Sequence, residues 1–322
     1  MKLLHMLVPE FFFEYKKHLS RMAIIKKNKS LPRKEYEKVL AEQYYSRTGK
    51  TMDFSHPISM TQKQQWLKLY DCSEDKRYLS DKYQVRKYVE DVIGKDFLIP
   101  LLQIDGKERF FDANEIDFDK LPKQFVLKCS HGSGYVIIIK DKNKLSNNDV
   151  RNIKRKLNWW LSEDFAYLSF EFVYAFDKPC IIIEQYVSIK DDLPDYKFMC
   201  FSGKPVYVWC DENRFSGHRR TVFDLSYGIQ PFRMHTFPDV KNKTKPDNFN
   251  KMIEIAKKLC GEYSYVRVDL YNVDGRIYFG ELTFSSSSGY EQPTPDKYDK
   301  LLGDLIVIHR EIRDASKEYR NE

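Results

Sequence analysis

The stretch from Val266 to Phe284 constrains the fold more than any other part of the chain. Val266, Val268 and Leu270 alternate with Arg267 and Asp269, while Ile277, Phe279, Glu281 and Thr283 fall on one side of a second alternating run. Alternation with period two marks strands that bury one face. Asp274-Gly275 between the runs supplies residues able to take positive φ, so the stretch reads as a β-hairpin. A two-residue loop would pair Val273 with Arg276 and send Asp269 and Glu281 to opposite faces. A three-residue loop, Val273-Asp274-Gly275 with Gly275 left-handed in a bulge, instead pairs Asn272 with Arg276. It brings both carboxylates to one face, with Arg267 opposite Glu281, and this second register is the one expected. Two carboxylates on one face repel unless a cation lies with them. Magnesium suits such a pair, being a hard ion that takes one or two carboxylates plus phosphate oxygens. A salt-bridged face around Arg267 is the other reading of the same residues.

A strand over Gln124 to Cys129 is followed by Ser130-His131-Gly132-Ser133-Gly134 and a second strand over Tyr135 to Lys140. Lys128 sits inside the apolar strand just before this small-residue loop. There its ammonium and the loop amides can meet a polyphosphate, or it can be a plain charge at a sheet edge. Lys140 is a second candidate cation. The pattern is not G-x-x-x-x-G-K-[ST], which excludes a P-loop. Ile181-Ile182-Ile183-Glu184-Gln185-Tyr186-Val187 belongs to a strand over Cys180 to Val187. It is either an ordinary buried strand or one whose main chain reads an adenine edge. Lys197, in Asp195-Tyr196-Lys197, can meet a transferring phosphate or form a surface ion pair. His131 and His218 have no Ser or Cys partner at a recognisable spacing, so no nucleophilic triad is expected.

Helical periodicity places a helix near Gln62 to Tyr70 and another from Ser80 to Gly94. Ser146 with Asp149 opens a helix in the manner of a capping box, and Pro246 and Gly261 bracket one over about Asp247 to Cys260. Strands at Tyr196 to Phe201 and Pro205 to Cys210 turn through Ser202-Gly203-Lys204. Strands and helices alternate without the rhythm of a doubly wound sheet, so the class is α+β. The expected division is a helical N-terminal region over 1–60, then 61–122, a small lobe over 123–188 and a large lobe with the metal site over 189–322.

With 322 residues, 22 Tyr, 22 Phe and 4 Trp, the chain can bury more than one core, and disorder is excluded for most of its length. Net charge +7 favours anionic ligands, and the absence of zinc spacing or an RNA-binding signature argues against nucleic acid. The six cysteines stand singly in mostly apolar runs, which fits reduced thiols in the cytoplasm. The apolar segment Leu3 to Pro9 with Phe11-Phe12-Phe13 is too short to span a bilayer. It either packs on the body or rests on a membrane surface.

Taken in order, these elements resemble the ATP-grasp superfamily, and more closely its TupA-like group, associated with teichuronopeptide and other surface-polysaccharide synthesis. The matching stretches are Tyr83-Gln84-Val85-Arg86-Lys87-Tyr88-Val89, Phe125 to Gly134, Asp195-Tyr196-Lys197-Phe198, Arg267 to Tyr271 and Gly280 to Phe284. The resemblance implies an ATP-grasp fold with ATP clamped between two α+β lobes that close to exclude water. Lys128 would hold phosphates, with a lysine of the segment from Lys82 to Lys87 as a second cation. Glu184 and the main chain around Gln185, Tyr186 and Val187 would meet adenine, and Asp191 the ribose. Asp269 and Glu281 would ligate magnesium, and Arg267 would stabilise the transferring phosphoryl group. Thr283, the third metal-site candidate, can face magnesium with its hydroxyl but stands where many of these ligases have Asn, a better match, which leaves one magnesium ion better supported than two.

The implied reaction joins a carboxylate to an amine through an acyl-phosphate, on small-molecule or glycan substrates of a capsule-like polymer. Arg214, Arg219 and Arg220 would receive an acidic acceptor, and peripheral association with a membrane-bound polysaccharide assembly is a further expectation. The rival readings are a glycosyltransferase, for which Asp117-Phe118-Asp119 is the one D-x-D match, an ATP-grasp sugar kinase, and a non-catalytic binding module.

Overall fold

The computed structural model describes residues 8–309 apart from 177, 188–192, 214–216, 236 and 242. Its helices are α1 (Val8–Lys29), α2 (Tyr36–Thr48), α3 (Met60–Tyr70), α4 (Glu74–Ser80), α5 (Val85–Ile93), α6 (Asn147–Ser162), α7 (Phe165–Ser169), α8 (Phe249–Leu259) and α9 (Lys297–Asp304). The first strands are β1 (Arg109–Phe110), β2 (Phe125–Cys129), β3 (Val136–Ile139) and β4 (Ile181–Gln185). After them come β5 (Asp195–Phe201), β6 (Lys204–Glu212), β7 (Arg219–Asp224), β8 (Arg233–Met234), β9 (Tyr265–Val273), β10 (Arg276–Thr283) and β11 (Pro293–Thr294). The class is α+β, with every described strand pairing antiparallel.

The chain divides into two compact units that are discontinuous in sequence. The first takes residues up to Pro32, Asp81–Tyr83 and Ile99–Tyr186; the second takes Arg33–Ser80, Gln84–Leu98 and the chain from Val187 onward. The helical region over 1–60 is therefore shared by both, with α1 in the first and α2 in the second.

In the first unit the sheet runs β1-β4-β2-β3. Phe125, Leu127 and Cys129 of β2 are buried on one face, and α6 packs on β2 through the stripe that buries Ile153, Leu157 and Trp160. The capping box at Ser146 and Asp149 is present: the serine hydroxyl accepts from Asp149 N–H, and the carboxylate accepts from Ser146 N–H at 2.9 Å. Helix α1 lies on α6 and α7, with Phe11 against Trp159 at 5.1 Å between ring centroids.

In the second unit the sheet runs β10-β9-β5-β6-β7, beside a two-stranded ribbon of β11 and β8. Here β9 lies between β10 and β5, and its residues from Tyr265 to Leu270 are buried. Helix α8 contacts β5, β6 and β9 through an apolar stripe that includes Phe249, Met252, Ala256 and Leu259. Strand β7 went unforeseen, because Arg219-Arg220 reads as a basic loop until its charge partners are known. The helix expected from Ser80 also divides. Ser80 closes α4, and the Asp81 carboxylate accepts from Tyr83 N–H at 2.8 Å, a local turn that delays α5 to Val85.

The hairpin register is corrected by the structure. Arg276 pairs with Val273, so the loop is the two-residue Asp274-Gly275, with φ of 49° and 81°. Both central residues at positive φ give the turn whose twist matches the strands. Yet Asp269 and Glu281 are direct partners, because a bulge between Phe279 and Glu281 shifts the ladder by one residue. The extra residue is Gly280, where a Cβ would lie 3.1 Å from the Asp269 carbonyl oxygen and 3.2 Å from the Tyr271 ring. The expected bulge exists, but at Gly280, five residues beyond Gly275. Arg267 consequently pairs with Thr283 rather than with Glu281.

The loop from β2 to β3 needs its two glycines for different reasons. Both have positive φ, 68° at Gly132 and 78° at Gly134. A Cβ on Gly132 would come within 2.6 Å of the Phe165 ring, whereas one on Gly134 meets nothing within 4 Å. Gly132→Ala is expected to lower stability by about 2–4 kcal/mol, combining backbone strain with overpacking, and Gly134→Ala by about 1 kcal/mol from the backbone alone. Denaturant midpoints of the two variants check this; equal losses would contradict the packing assignment.

Candidate functional site

One face of the five-stranded sheet carries a row of partners across the strands: Glu281 on β10, Asp269 on β9, Lys197 on β5 and Trp209 on β6. Opposed residues share a face, so these side chains converge as the alternation requires. Lys197 Nζ donates to Asp269 Oδ2 at 2.6 Å and also bonds the Asp195 carboxylate. Arg267 Nε donates to Asp269 Oδ1 at 2.7 Å, and its NH2 reaches Asp269 Oδ2 at 2.8 Å and Glu281 Oε1 at 3.1 Å. The same NH2 donates to Thr283 Oγ1 at 3.1 Å, and NH1 to Ser286 Oγ at 2.8 Å.

Asp269 is 1% exposed, whereas the Glu281 side chain keeps 38% of its surface open. Burial opposes the charge of Arg267, but Asp269 and Glu281 outweigh it and hold the guanidinium firmly protonated. Burial likewise pushes the Asp269 carboxyl up, with Arg267 and Lys197 pulling it back toward the ionised form. Lys197 is thus a buried ion-pair residue rather than a surface one.

This cluster invites a cation. Lys197 joins Asp195 to Asp269, and Arg267 joins Asp269 to Glu281, so three carboxylates are gathered around these two cations. Among the described residues no group of three His, Cys, Asp or Glu side chains is arranged to hold a metal by protein ligands alone. Glu281, partly open, fits the other mode, in which magnesium takes one or two carboxylates and draws its remaining oxygens from phosphates and water, and Asp269 would join it by exchanging a contact with Lys197 or Arg267. The Thr283 hydroxyl donates to Glu281 Oε1 at 3.1 Å, so it orients that carboxylate.

In the first unit, Lys128 and Glu184 share a sheet face with apolar neighbours. The ladder places Ile138, Val126, Glu184 and Leu101 in one row and Val136, Lys128, Ile182 and Arg109 in the next. Lys128 Nζ lies 2.5 Å from Glu184 Oε2, both side chains mostly buried. Arg109 was missed by the sequence reading, since a two-residue strand gives no periodic signal; its guanidinium lies 5.0 Å from the Tyr83 ring centroid. Gln185 N–H already donates to the Pro100 carbonyl at 2.9 Å. That N–H is therefore committed within the fold, which leaves the Gln185 carbonyl as the main-chain group for the expected adenine contact. Tyr186 and Val187 follow the end of β4 half-buried, Lys140 is exposed beyond β3, and Asp191 lies outside the described residues.

The glycine loop divides in function. Ser130 and His131 are buried, not open to a ligand: Ser130 exchanges main-chain and side-chain bonds with Cys180, and His131 Nε2 lies 3.1 Å from the Glu163 carbonyl oxygen. Lys82 clamps the loop, its N–H donating to Ser130 O at 2.9 Å and its ammonium to Gly132 O at 2.7 Å. Ser133 and Gly134 form the exposed tip. Glu163 is a second anchor. Its carboxylate takes His18 Nδ1 at 2.8 Å and Arg21 NH1 at 3.0 Å from α1, and the Tyr135 hydroxyl next to the loop.

The arginines expected to receive an acidic acceptor are otherwise engaged. Arg220 donates to Asp211 at 2.6 and 3.0 Å and also to Glu291, Arg219 donates to the Asp239 carbonyl at 2.9 Å, and Arg214 lies outside the described residues. Burial would raise the Asp211 carboxyl, but His218 and Arg220 beside it hold it well below the usual range. Asp117 caps a short turn by accepting from Asp119 N–H at 3.0 Å, an ordinary structural use of the D-x-D residues.

A family model described as TupA-like ATPgrasp matches residues 62–307. No curated protein sequence matches the chain. Among solved structures it is similar to ATP-grasp ligase PsnB complexed with minimal precursor, Mg and ADP, at 12% identity over 66% of this chain and 53% of that one, with TM-score 0.36. The chain thus spans about half the length of that protein. It is also similar to D-alanine–D-alanine ligase from Bacillus anthracis complexed with ATP, at 17% identity over 75% and 68% of the two chains, TM-score 0.39. For D-alanyl-alanine synthetase A from Vibrio cholerae O1 biovar eltor str. N16961 the values are 12%, 79%, 71% and 0.42.

Burial pushes the His131 imidazole down to about 4 from its ordinary 6.5. A depressed value means the neutral form is the folded one, so stability is complete above pH 6.5 and is lost as pH falls toward 4. The loss attributable to this group is up to roughly 3 kcal/mol. His131→Phe should flatten that part of the stability profile between pH 6.5 and 4, measured by denaturant unfolding; an unchanged slope would remove His131 as its source.

Proposed function

The chain belongs to the TupA-like ATP-grasp family, and on that premise we propose that it is an ATP-dependent ligase joining a carboxylate to an amine through an acyl-phosphate. The observation that carries this reading is the row of Glu281, Asp269 and Lys197 with Arg267 across two of its members, cations and carboxylates packed on one sheet face with the Glu281 side chain partly open. Phosphoryl transfer needs this kind of surface, because its catalysis is positioning and charge stabilisation more than covalent chemistry by the protein.

A carboxylate oxygen of the first substrate attacks the γ-phosphorus of ATP, and the bond to the bridging oxygen breaks to release ADP. The amine nitrogen of the second substrate then attacks the acyl carbon; the carbon–oxygen bond to phosphate breaks, and the nitrogen loses a proton. Arg267 and Lys197 supply fixed positive charge for the oxygens that gain negative charge in the first step. Asp195 and Asp269 hold the Lys197 ammonium in place, and Ser286 holds Arg267. Magnesium, held by Asp269 and Glu281, would neutralise the polyphosphate when bound.

In the first unit the apolar face of Val126, Val136, Ile138 and Ile182 suits a purine ring, with Glu184 at hand for its exocyclic amine. Lys128, Arg109 and the Ser133–Gly134 tip suit phosphates. The substrates we assign are a uronic acid, amino sugar or amino acid of a surface polysaccharide, because the TupA-like group is associated with such polymers.

Calorimetric titration with ATP, GTP and UDP-sugars, with and without magnesium, tests the nucleotide assignment. ATP should bind only with magnesium, and Asp269→Asn and Glu281→Gln should each weaken it at least tenfold. Tight UDP-sugar binding with no response to ATP would overturn the reading in favour of a glycosyltransferase. Incubation with ATP, hydroxylamine and candidate uronic or amino acids should yield a hydroxamate; ADP formation with a stable sugar phosphate would assign a kinase instead.

A further inference from the structure

Helix α1 has two unlike faces. The inner one is used: Glu14 lies 3.5 Å from Lys156, His18 and Arg21 meet Glu163, Ile25 is buried, and Asn28 donates to the Tyr167 carbonyl at 2.8 Å. The outer one is open. Phe12 is 53% exposed, Phe13 65%, Leu19 49% and Ile24 42%, a concentration of large apolar side chains found on no other described helix. Lys16, Lys17, Lys26 and Lys27 are exposed among them, and Lys16 Nζ rests 4.6 Å from the Phe12 ring centroid. From residue 11 to residue 29 the one acidic side chain is Glu14, which is turned to Lys156.

We propose that this outer face seats the protein on an anionic lipid surface. Aromatic and aliphatic side chains spaced along a convex helix present no groove for a peptide, but they can enter the headgroup region while interleaved lysines meet lipid phosphates. Charge complementarity selects the occupant. A second copy of the same face would set lysines against lysines, whereas an anionic bilayer rewards each of them. No described helix is long and apolar enough to cross a membrane, so the association is peripheral. The proposal stands apart from the ligase reading, since it uses no residue of either candidate binding face.

The test is co-sedimentation of the full chain with phosphatidylcholine vesicles, alone or containing phosphatidylglycerol. Binding should require the anionic lipid and fall steeply with salt. Lys16→Glu/Lys17→Glu should weaken it by more than about 20-fold, from roughly fivefold per basic residue. Phe12→Ser/Phe13→Ser should also release the protein, with thermal unfolding of both variants unchanged because these side chains are exposed. Absence of binding to anionic vesicles at low salt, or equal binding to neutral ones, would overturn the proposal. So would a concentration-dependent dimer abolished by Phe12→Ser/Phe13→Ser, which would assign the face to a second copy.

Discussion

The second unit is organised around the Asp269 carboxylate, held by Lys197 on one side and Arg267 on the other. A buried carboxylate is tolerable only when its charge is matched and its lone pairs are filled, and here both oxygens are engaged. The consequence runs outward. Lys197 must stand on the neighbouring strand in register, Asp195 must hold its ammonium, and Ser286 beyond β10 must hold the far side of Arg267. Hydrophobic residues of similar volume would pack such a sheet at least as stably, so the network is a poor means of stabilisation alone. A surface that recognises charge is the better account of why the middle strand carries it.

Charges directed at one another inside the fold contrast with those left partly open. Asp211, Arg220 and Glu291 form a buried set whose donors and acceptors are directed at one another. Lys82 closes on loop carbonyls. Glu281, by contrast, keeps a third of its side chain open while it meets Arg267. Lys128 and Glu184 lie between these cases, a close ion pair at the edge of an apolar face.

Sequence patterns reported strands well and their registers poorly. Alternation in Val266 to Leu270 and Ile277 to Thr283 identified both hairpin strands, and the convergence of Asp269 with Glu281 was correctly expected, but by the wrong route. The turn followed the ordinary chemistry of Asp-Gly, and the compensating bulge sat at Gly280, where the absent Cβ permits close approach to β9. An isolated strand glycine hints at a bulge or a close approach, but it does not say how far the ladder beyond it is shifted. Burial was illegible for a related reason. Ser130 and His131 look like exposed loop residues, yet both are buried, with Ser130 bonded to Cys180 fifty residues away and His131 Nε2 meeting a carbonyl thirty-two residues away. Arg109 was invisible because a two-residue strand has no period, and its place beside Lys128 comes from β4, which joins them.

Glu163 shows how such distant pairings give the first unit its internal logic. One carboxylate receives His18 and Arg21 from α1 and Tyr135 from the residue after Gly134, while the main-chain oxygen of the same residue faces His131. Removing α1 from this position would leave a buried carboxylate without its Arg21 contact and would loosen the hydroxyl that fixes the end of the glycine loop. The geometry of the loop therefore depends on a helix that contributes nothing to its sequence neighbourhood. Because that helix turns its aromatic and basic side chains outward, whatever engages its outer face acts on the far side of an element separated from the glycine loop by a single glutamate.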